Sequence, residues 1–217
     1  MTPDYRIFKG YNAIDLGLSV RWSSCNIGAS LPEEIGEDFR FAETESPTNT
    51  SIFYDTSLKR IDITVIGFHY RKGYKRVRYK NGGNTYSIIH CHISRSNKYD
   101  VARNKWGAGW RIPTPEEFQE LIDNCGWEWK SINNRYGYKI TGPNGNSIFL
   151  PTNDIANQRG FYYTDLYEIH TNDIEHDGAC FLTFDKKLQW FNLAPDGMAC
   201  LGIRLVTDFF EVMDCCE

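Results

Sequence analysis

No stretch of this sequence approaches the ~20 consecutive apolar residues of a membrane-spanning helix, so no membrane insertion by that route is expected. The opening, MTPDYRIFKGYNAIDLG, lacks the apolar core of a secretory leader. That reads as cytoplasmic, with the cell surface or secretion expected if a leader has been removed. The seven cysteines, at 25, 91, 125, 180, 200, 215 and 216, contain no Cys-x-x-Cys pair. Zinc-ribbon and thioredoxin-type spacings are therefore missing, and the odd count points to reduced, buried thiols. There is no Gly-x-Ser-x-Gly, no His-Glu-x-x-His and no phosphate-loop lysine. Internal repeats and low-complexity tracts are absent as well.

Methionine is scarce, at 3 residues, whereas glycine numbers 18 and aromatics reach 15%. Many turns with many aromatics favour short strands and long loops over a helical bundle. The length suits one large domain, or one domain with an insertion. Net charge is −4, which disfavours general nucleic-acid binding. The charge is uneven, however. Between Lys59 and Lys80 eight basic residues face one acid, Asp62, a net of +7, so the rest of the chain carries −11.

Along the chain, residues 10–24 read as strand, turn, strand, and the acidic stretch 30–46 around Phe39 and Phe41 as a solvated loop. Residues 59–93 read as a β-meander. Ile61, Ile63 and Val65 alternate with polar neighbours, Tyr74–Lys80 forms a second strand, Asn81-Gly82-Gly83-Asn84 a turn, and Thr85–Ile93 a third strand. A short helix is expected at Tyr99–Lys105, closed by Gly107. The strongest helical signal follows: Thr114 as N-cap, Pro115 at N1, Glu117 completing a capping box, and Phe118, Leu121, Ile122 and Cys125 on one face. Strands are then expected at Tyr136–Thr141, Asn146–Pro151, Phe161–Thr164, Gly178–Phe184, Leu188–Asn192 and Leu201–Val206. Polar loops fill 152–160, 165–177 and 193–200.

Four segments carry a family resemblance: Ile14–Ala29 (IDLGLSVRWSSCNIGA), Trp106–Cys125 (WGAGWRIPTPEEFQELIDNC), Tyr138–Pro151 (YKITGPNGNSIFLP) and Gly202–Val206 (GIRLV). In order and spacing they resemble the FISUMP-type bacterial domain of the formylglycine-generating-enzyme and C-type-lectin-like fold group. The resemblance covers most of the chain outside 47–97. It implies an α+β, C-type-lectin-like domain over 1–217, with two helices, a small twisted antiparallel sheet, long C-terminal loops and an inserted β-meander at about 47–97. It also implies a bacterial source, often among Bacteroidetes, and, by analogy of fold, a variable binding surface near the C-terminus.

Candidate chemistry follows from residue types. An oxidase of the formylglycine-generating kind needs two close thiols near the C-terminus, and only Cys200, Cys180 and the Cys215–Cys216 pair are available. His90 and His92 share a strand face and could chelate a transition metal with His69. Asn153, Asp154, Asn172, Asp173 and Asp177 offer the oxygens calcium takes, but loop Asn and Asp ordinarily serve turns. The expectation is no cofactor, with calcium as the alternative. Arg71, Lys72, Lys75, Arg76 and Arg78, interleaved with Tyr70, Tyr74 and Tyr79, could hold an anion or nucleic acid. Tyr163, Asp165, Tyr167, Glu168 and His170 fall at a strand end and the loop beyond it, and Trp190, Asn192 and Asp196 in and after a later strand. Tyr and Trp supply rigid contact area and Asn and Asp adaptable hydrogen bonds. The reading reached is a non-enzymatic domain binding a protein or glycan on these C-terminal residues, with the basic hairpin of 59–80 as the alternative site.

Overall fold

A computed structural model describes residues 5–8, 11–46, 74–81, 84–170, 177–195 and 199–208. Among these residues the chain forms twelve strands and two helices. The strands are β1 (Tyr5–Phe8), β2 (Tyr11–Asp15), β3 (Val20–Asn26), β4 (Tyr74–Asn81), β5 (Asn84–His92), β6 (Gly126–Ile132), β7 (Arg135–Thr141), β8 (Ser147–Pro151), β9 (Gly160–His170), β10 (Gly178–Phe184), β11 (Gln189–Pro195) and β12 (Arg204–Asp208). The helices are α1 (Val101–Trp106) and α2 (Pro115–Asn124). The strands form three antiparallel sheets, ordered β1-β2-β3-β12, β11-β10-β9-β5-β4 and β6-β7-β8. The architecture is therefore α+β and mostly antiparallel.

Helix α2 begins at its expected cap, whereas α1 begins at Val101, two residues after the expected Tyr99. The Asp100 carboxylate accepts the Ala102 and Arg103 N–H groups at the start of α1. Thr114 and Glu117 form the reciprocal capping box of α2, with Pro115 at its first turn. Glu117 also receives a two-pronged contact from the Arg111 guanidinium, which reaches on to Asp208 at the end of β12. Arg111 thus ties the capping residue Glu117 to the closing strand.

Two apolar clusters sit on either side of β9 and β10. One gathers α1 (Val101, Ala102, Trp106) with Tyr163, Tyr167 and Ala179. The other gathers α2 (Phe118, Leu121) and the β6-β7-β8 sheet with Tyr162, Leu182 and Phe184. This double burial explains the main departure from expectation. Residues 165–170 are not a loop, because β9 runs unbroken from Gly160 to His170. A strand covered on both faces carries a continuous apolar and aromatic run, and the period-two signal disappears. Residues 193–195 likewise belong to β11.

Three further differences matter. The 30–46 segment is irregular, but Phe39 and Phe41 are buried, and Phe39 bridges to Leu201. The hairpin of β4 and β5 is not an appendage, since β5 pairs with β9 and extends the central sheet. The expected strand at 61–65 lies outside the described residues. Strand β6 is an addition to the expected elements, although Trp127-Glu128-Trp129-Lys130 has strand alternation.

The hairpin turn at 142–145 docks on the turn after β2. Asn144 and Asn146 each donate a side-chain hydrogen bond to the Asp15 carbonyl, at 2.9 and 2.8 Å. Two of the segments that carry the family resemblance are therefore one packed unit.

Candidate functional site

The predicted site residues divide into two groups. Tyr163, Asp165 and Tyr167 are buried, which corrects their assignment to a contact surface. Tyr163 and Tyr167 pack edge-on and tilted against Phe41, with centroids 5.7 and 5.6 Å apart, and Tyr163 donates its hydroxyl to the Ala199 carbonyl at 2.6 Å. They build the core beneath the surface. Glu168, His170 and Trp190 are half-buried and Asn192 is exposed; Asp196 lies outside the described residues. Lys75, Arg76 and Arg78 fall on β4, an outer strand of the five-stranded sheet, while Arg71 and Lys72 lie outside the described residues.

The seam between β5 and β9 concentrates the titratable groups. Asp165, with a side chain 1% exposed, lies 3.0 Å from His92 Nδ1 through Oδ1, while its Oδ2 is buried without a hydrogen-bond partner among the described residues. Further along β9, Glu168 spans two imidazoles, with His90 Nε2 at 3.5 Å from one oxygen and His170 Nε2 at 3.3 Å from the other. Asp177 accepts the backbone N–H of His170. His90 and His92 do share a face, as their spacing predicts, but each turns to a carboxylate on β9. The His69 suggested as a third ligand lies outside the described residues. Among the described residues no group of three or more His, Cys, Asp or Glu is arranged to hold a metal ion.

The other candidates are taken up by structure. Asn153 accepts from the Phe161 N–H at 2.8 Å and donates to the Phe161 carbonyl at 2.7 Å. Asp154 accepts from both the backbone and side chain of Asn157. These calcium-type oxygens are closing a turn; Asn172 and Asp173 lie outside the described residues. Four of the thiols are shifted toward the protonated form. Burial pushes Cys180 up to about 12, against a Thr164 hydrogen bond and with help from the Glu168, Asp165 and Glu116 charges. Burial likewise lifts Cys91, Cys125 and Cys200. A reactive or metal-binding thiolate needs the opposite shift.

A partly open patch remains at the outer end of the central sheet, where Trp190 and Asn192 lie beside Phe161 and Phe181, which pack on the α1 core cluster. Phe161 on β9, Thr183 on β10 and Trp190 on β11 are in direct register, and Tyr163, Phe181 and Asn192 form the next row. Phe161 and Phe181 are half-buried with centroids 6.2 Å apart. Trp190 packs against neither core cluster and makes no hydrogen bond or ring contact among the described residues. Asn192 is exposed and steadied by a 3.0 Å bond from its amide to the Thr183 hydroxyl. Sequence reasoning reads the strands of Phe161 and Phe181 as core, and both do pack on the core cluster while staying half-buried. Knowing which rows cross requires the register of three strands, which no local pattern supplies.

No family model, curated protein or solved structure matches this chain.

Proposed function

We propose that this chain is a non-catalytic ligand-binding domain of C-type-lectin-like architecture. Its ligand, a protein or a glycan, docks on the outer strand β11 around Trp190 and Asn192, beside the partly buried Phe161 and Phe181. The observation that carries this reading is the state of Trp190. It is a half-buried indole on an outer strand, without a partner among the described residues, beside two half-buried phenylalanines and a fixed amide. An aromatic anchor backed by a rigid sheet, with a polar group at its rim, is the arrangement from which binding hot spots are built. The four sequence segments shared with the FISUMP type, the two helices and the small antiparallel sheets support the fold assignment. The raised thiol values weigh against a formylglycine-generating type of oxidase.

The test is a screen of the purified chain against a glycan array and host proteomes, at low and high salt. A salt-resistant hit that Trp190→Ala and Asn192→Ala both weaken, with folding intact, supports the reading. A hit untouched by either variant overturns it. A second reading has one observation in its favour. Arg76 and Arg78 occupy alternate positions on β4, so both fall on one face of an outer strand. Polyanion binding that is present at low salt only, and lost in the Arg76→Ala, Arg78→Ala double variant, would move the site there.

A further inference from the structure

A ladder of rings runs from the core of the protein out along the β6–β7 hairpin. Tyr162 stacks on Phe184 at 6.0 Å, Phe184 meets Tyr138 at 5.6 Å, and Tyr138 meets Trp129 at 5.0 Å. The last step is different. Trp129 and Tyr136 are nearly parallel, 11° apart, with centroids 6.1 Å apart, so the rings are offset rather than edge-on. Tyr136 is 42% exposed. Rings deeper in the protein use their polar atoms internally: Trp127, edge-on to Tyr138 at 5.1 Å, donates Nε1 to the Leu121 carbonyl, and the Tyr138 hydroxyl donates to the Asp185 carbonyl. The Trp129 indole N–H and the Tyr136 hydroxyl make no hydrogen bond among the described residues.

Strand alternation sorts charge cleanly about this pair. Trp127, Trp129, Ser131, Tyr136, Tyr138 and Ile140 share one face of the hairpin, and none is charged. Glu128, Lys130, Arg135 and Lys139 fall on the other, where Lys130 and Glu128 pair at 3.0 Å. The hairpin is also preformed. Asn133 and Asn134 both hold positive φ, at 48° and 63°, as a two-residue turn of the twisted type requires, and the Asn133 amide donates to Glu33 at 2.6 Å.

We infer that Trp129 and Tyr136 form a second binding surface, separate from Trp190, which takes a pyranose ring of a neutral oligosaccharide. The aromatic pair offers a face for the apolar side of the sugar. The indole N–H, the phenol and the exposed Ser131 hydroxyl offer hydrogen bonds to its hydroxyls. The hairpin's own residues on this face carry no charge, and the Asp185 carboxylate beside the Tyr138 hydroxyl repels an anion, which selects against uronic acids.

The experiment titrates the full chain with cellohexaose and mannohexaose, and with an oligogalacturonide as charged counterpart, following tryptophan fluorescence and calorimetric heat. At least one neutral hexasaccharide is expected to bind, and the oligogalacturonide more weakly. Tyr136→Ala, at an exposed position, is expected to weaken binding about fivefold to tenfold, the loss of one stacked ring. Trp129→Ala is expected to abolish it. Trp190→Ala is expected to leave it unchanged, which separates this surface from the one proposed above. Failure of both neutral sugars to bind overturns the inference. So does preference for the charged sugar, or indifference of binding to Tyr136→Ala in a variant whose circular dichroism and melting match the parent.

Discussion

Arg204 Nε donates to Asn26 Oδ1 at 2.9 Å, joining two fully buried residues on β12 and β3. The same guanidinium donates to the Ser23 carbonyl at 2.9 Å and the Phe149 carbonyl at 2.7 Å. Asn26 in turn donates to the Tyr162 hydroxyl at 3.1 Å, and that hydroxyl donates to the Pro151 carbonyl at 2.6 Å. Three sheets meet in this network. Burial lowers the pKa of Arg204, and only neutral acceptors receive its hydrogen bonds. Arg204→Met fills the space but strands three acceptors, and is expected to cost ~3–5 kcal/mol. Urea unfolding checks this: the midpoint should fall with little change of slope.

Tyr167 has the composition of a binding residue and the location of a core one. Its ring is 1% exposed and packs on Phe41. Tyr167→Ala is expected to destabilise the chain by ~3–5 kcal/mol, as for other buried aromatic truncations. Trp190→Ala should cost under ~1 kcal/mol, because the indole packs against neither core. Thermal melting of the two variants side by side decides whether the surface lies at 190 or deeper in β9.

What the sequence reveals of this fold is what is local. Thr114-Pro115-Glu116-Glu117 announces α2 because capping chemistry spans only four residues, and Gly107 marks the end of α1 for the same reason, while the Asp100 N-cap starts α1 at Val101 rather than at the expected Tyr99. The hairpin of β4 and β5 is legible from its turn residues and alternation. Strand β9 is hidden because it is sandwiched between two apolar clusters, so nothing along it alternates. The site is legible only as composition. Aromatic and amide residues cluster after position 160, but which of them face outward depends on how β10 registers against both neighbours, including the shift between Ala179 and Phe181. The pairing of Glu168 with His90 and His170 is equally non-local, since it follows from β5 lying beside β9.

Gly142 is required by contact rather than by backbone angle. A Cβ there would lie 2.0 Å from the Leu16 carbonyl oxygen. Gly142→Ala must lift the 142–145 turn from its seat on the β2–β3 turn, at an expected cost of ~2–3 kcal/mol. Gly145 holds φ at 87°, and no described atom lies within 4 Å of where its Cβ would stand, so a side chain there meets only backbone strain. Gly145→Ala should cost about 1 kcal/mol. Equal losses in the two variants, measured by thermal melting, would show that the turn does not depend on its contact with Leu16.

Burial lifts the carboxyl groups of Asp38 and Asp100 to about 6, well above the value of about 3.9 for an unfolded aspartate. In Asp100 burial prevails over backbone hydrogen bonds from Arg95, Arg103 and Ala102, which pull the other way. Asp38 keeps Oδ1 sealed from solvent without a hydrogen-bond partner among the described residues. A folded-state value above the unfolded one means that the folded chain holds the proton more tightly. The stabilisation from these protons is complete below about pH 4 and is lost as pH rises through 6, with a slope of up to about 1.4 kcal/mol per pH unit for each group. At pH 7 both carboxylates are ionised and unfavourably buried. Asp38→Asn removes one of the two titrations without breaking a bond to Oδ1. The stability of the variant relative to the parent is therefore expected to be greater at pH 7 than at pH 4, measured by urea unfolding across that range. A difference that does not change with pH would mean that Asp38 titrates as an ordinary carboxylate in the folded chain.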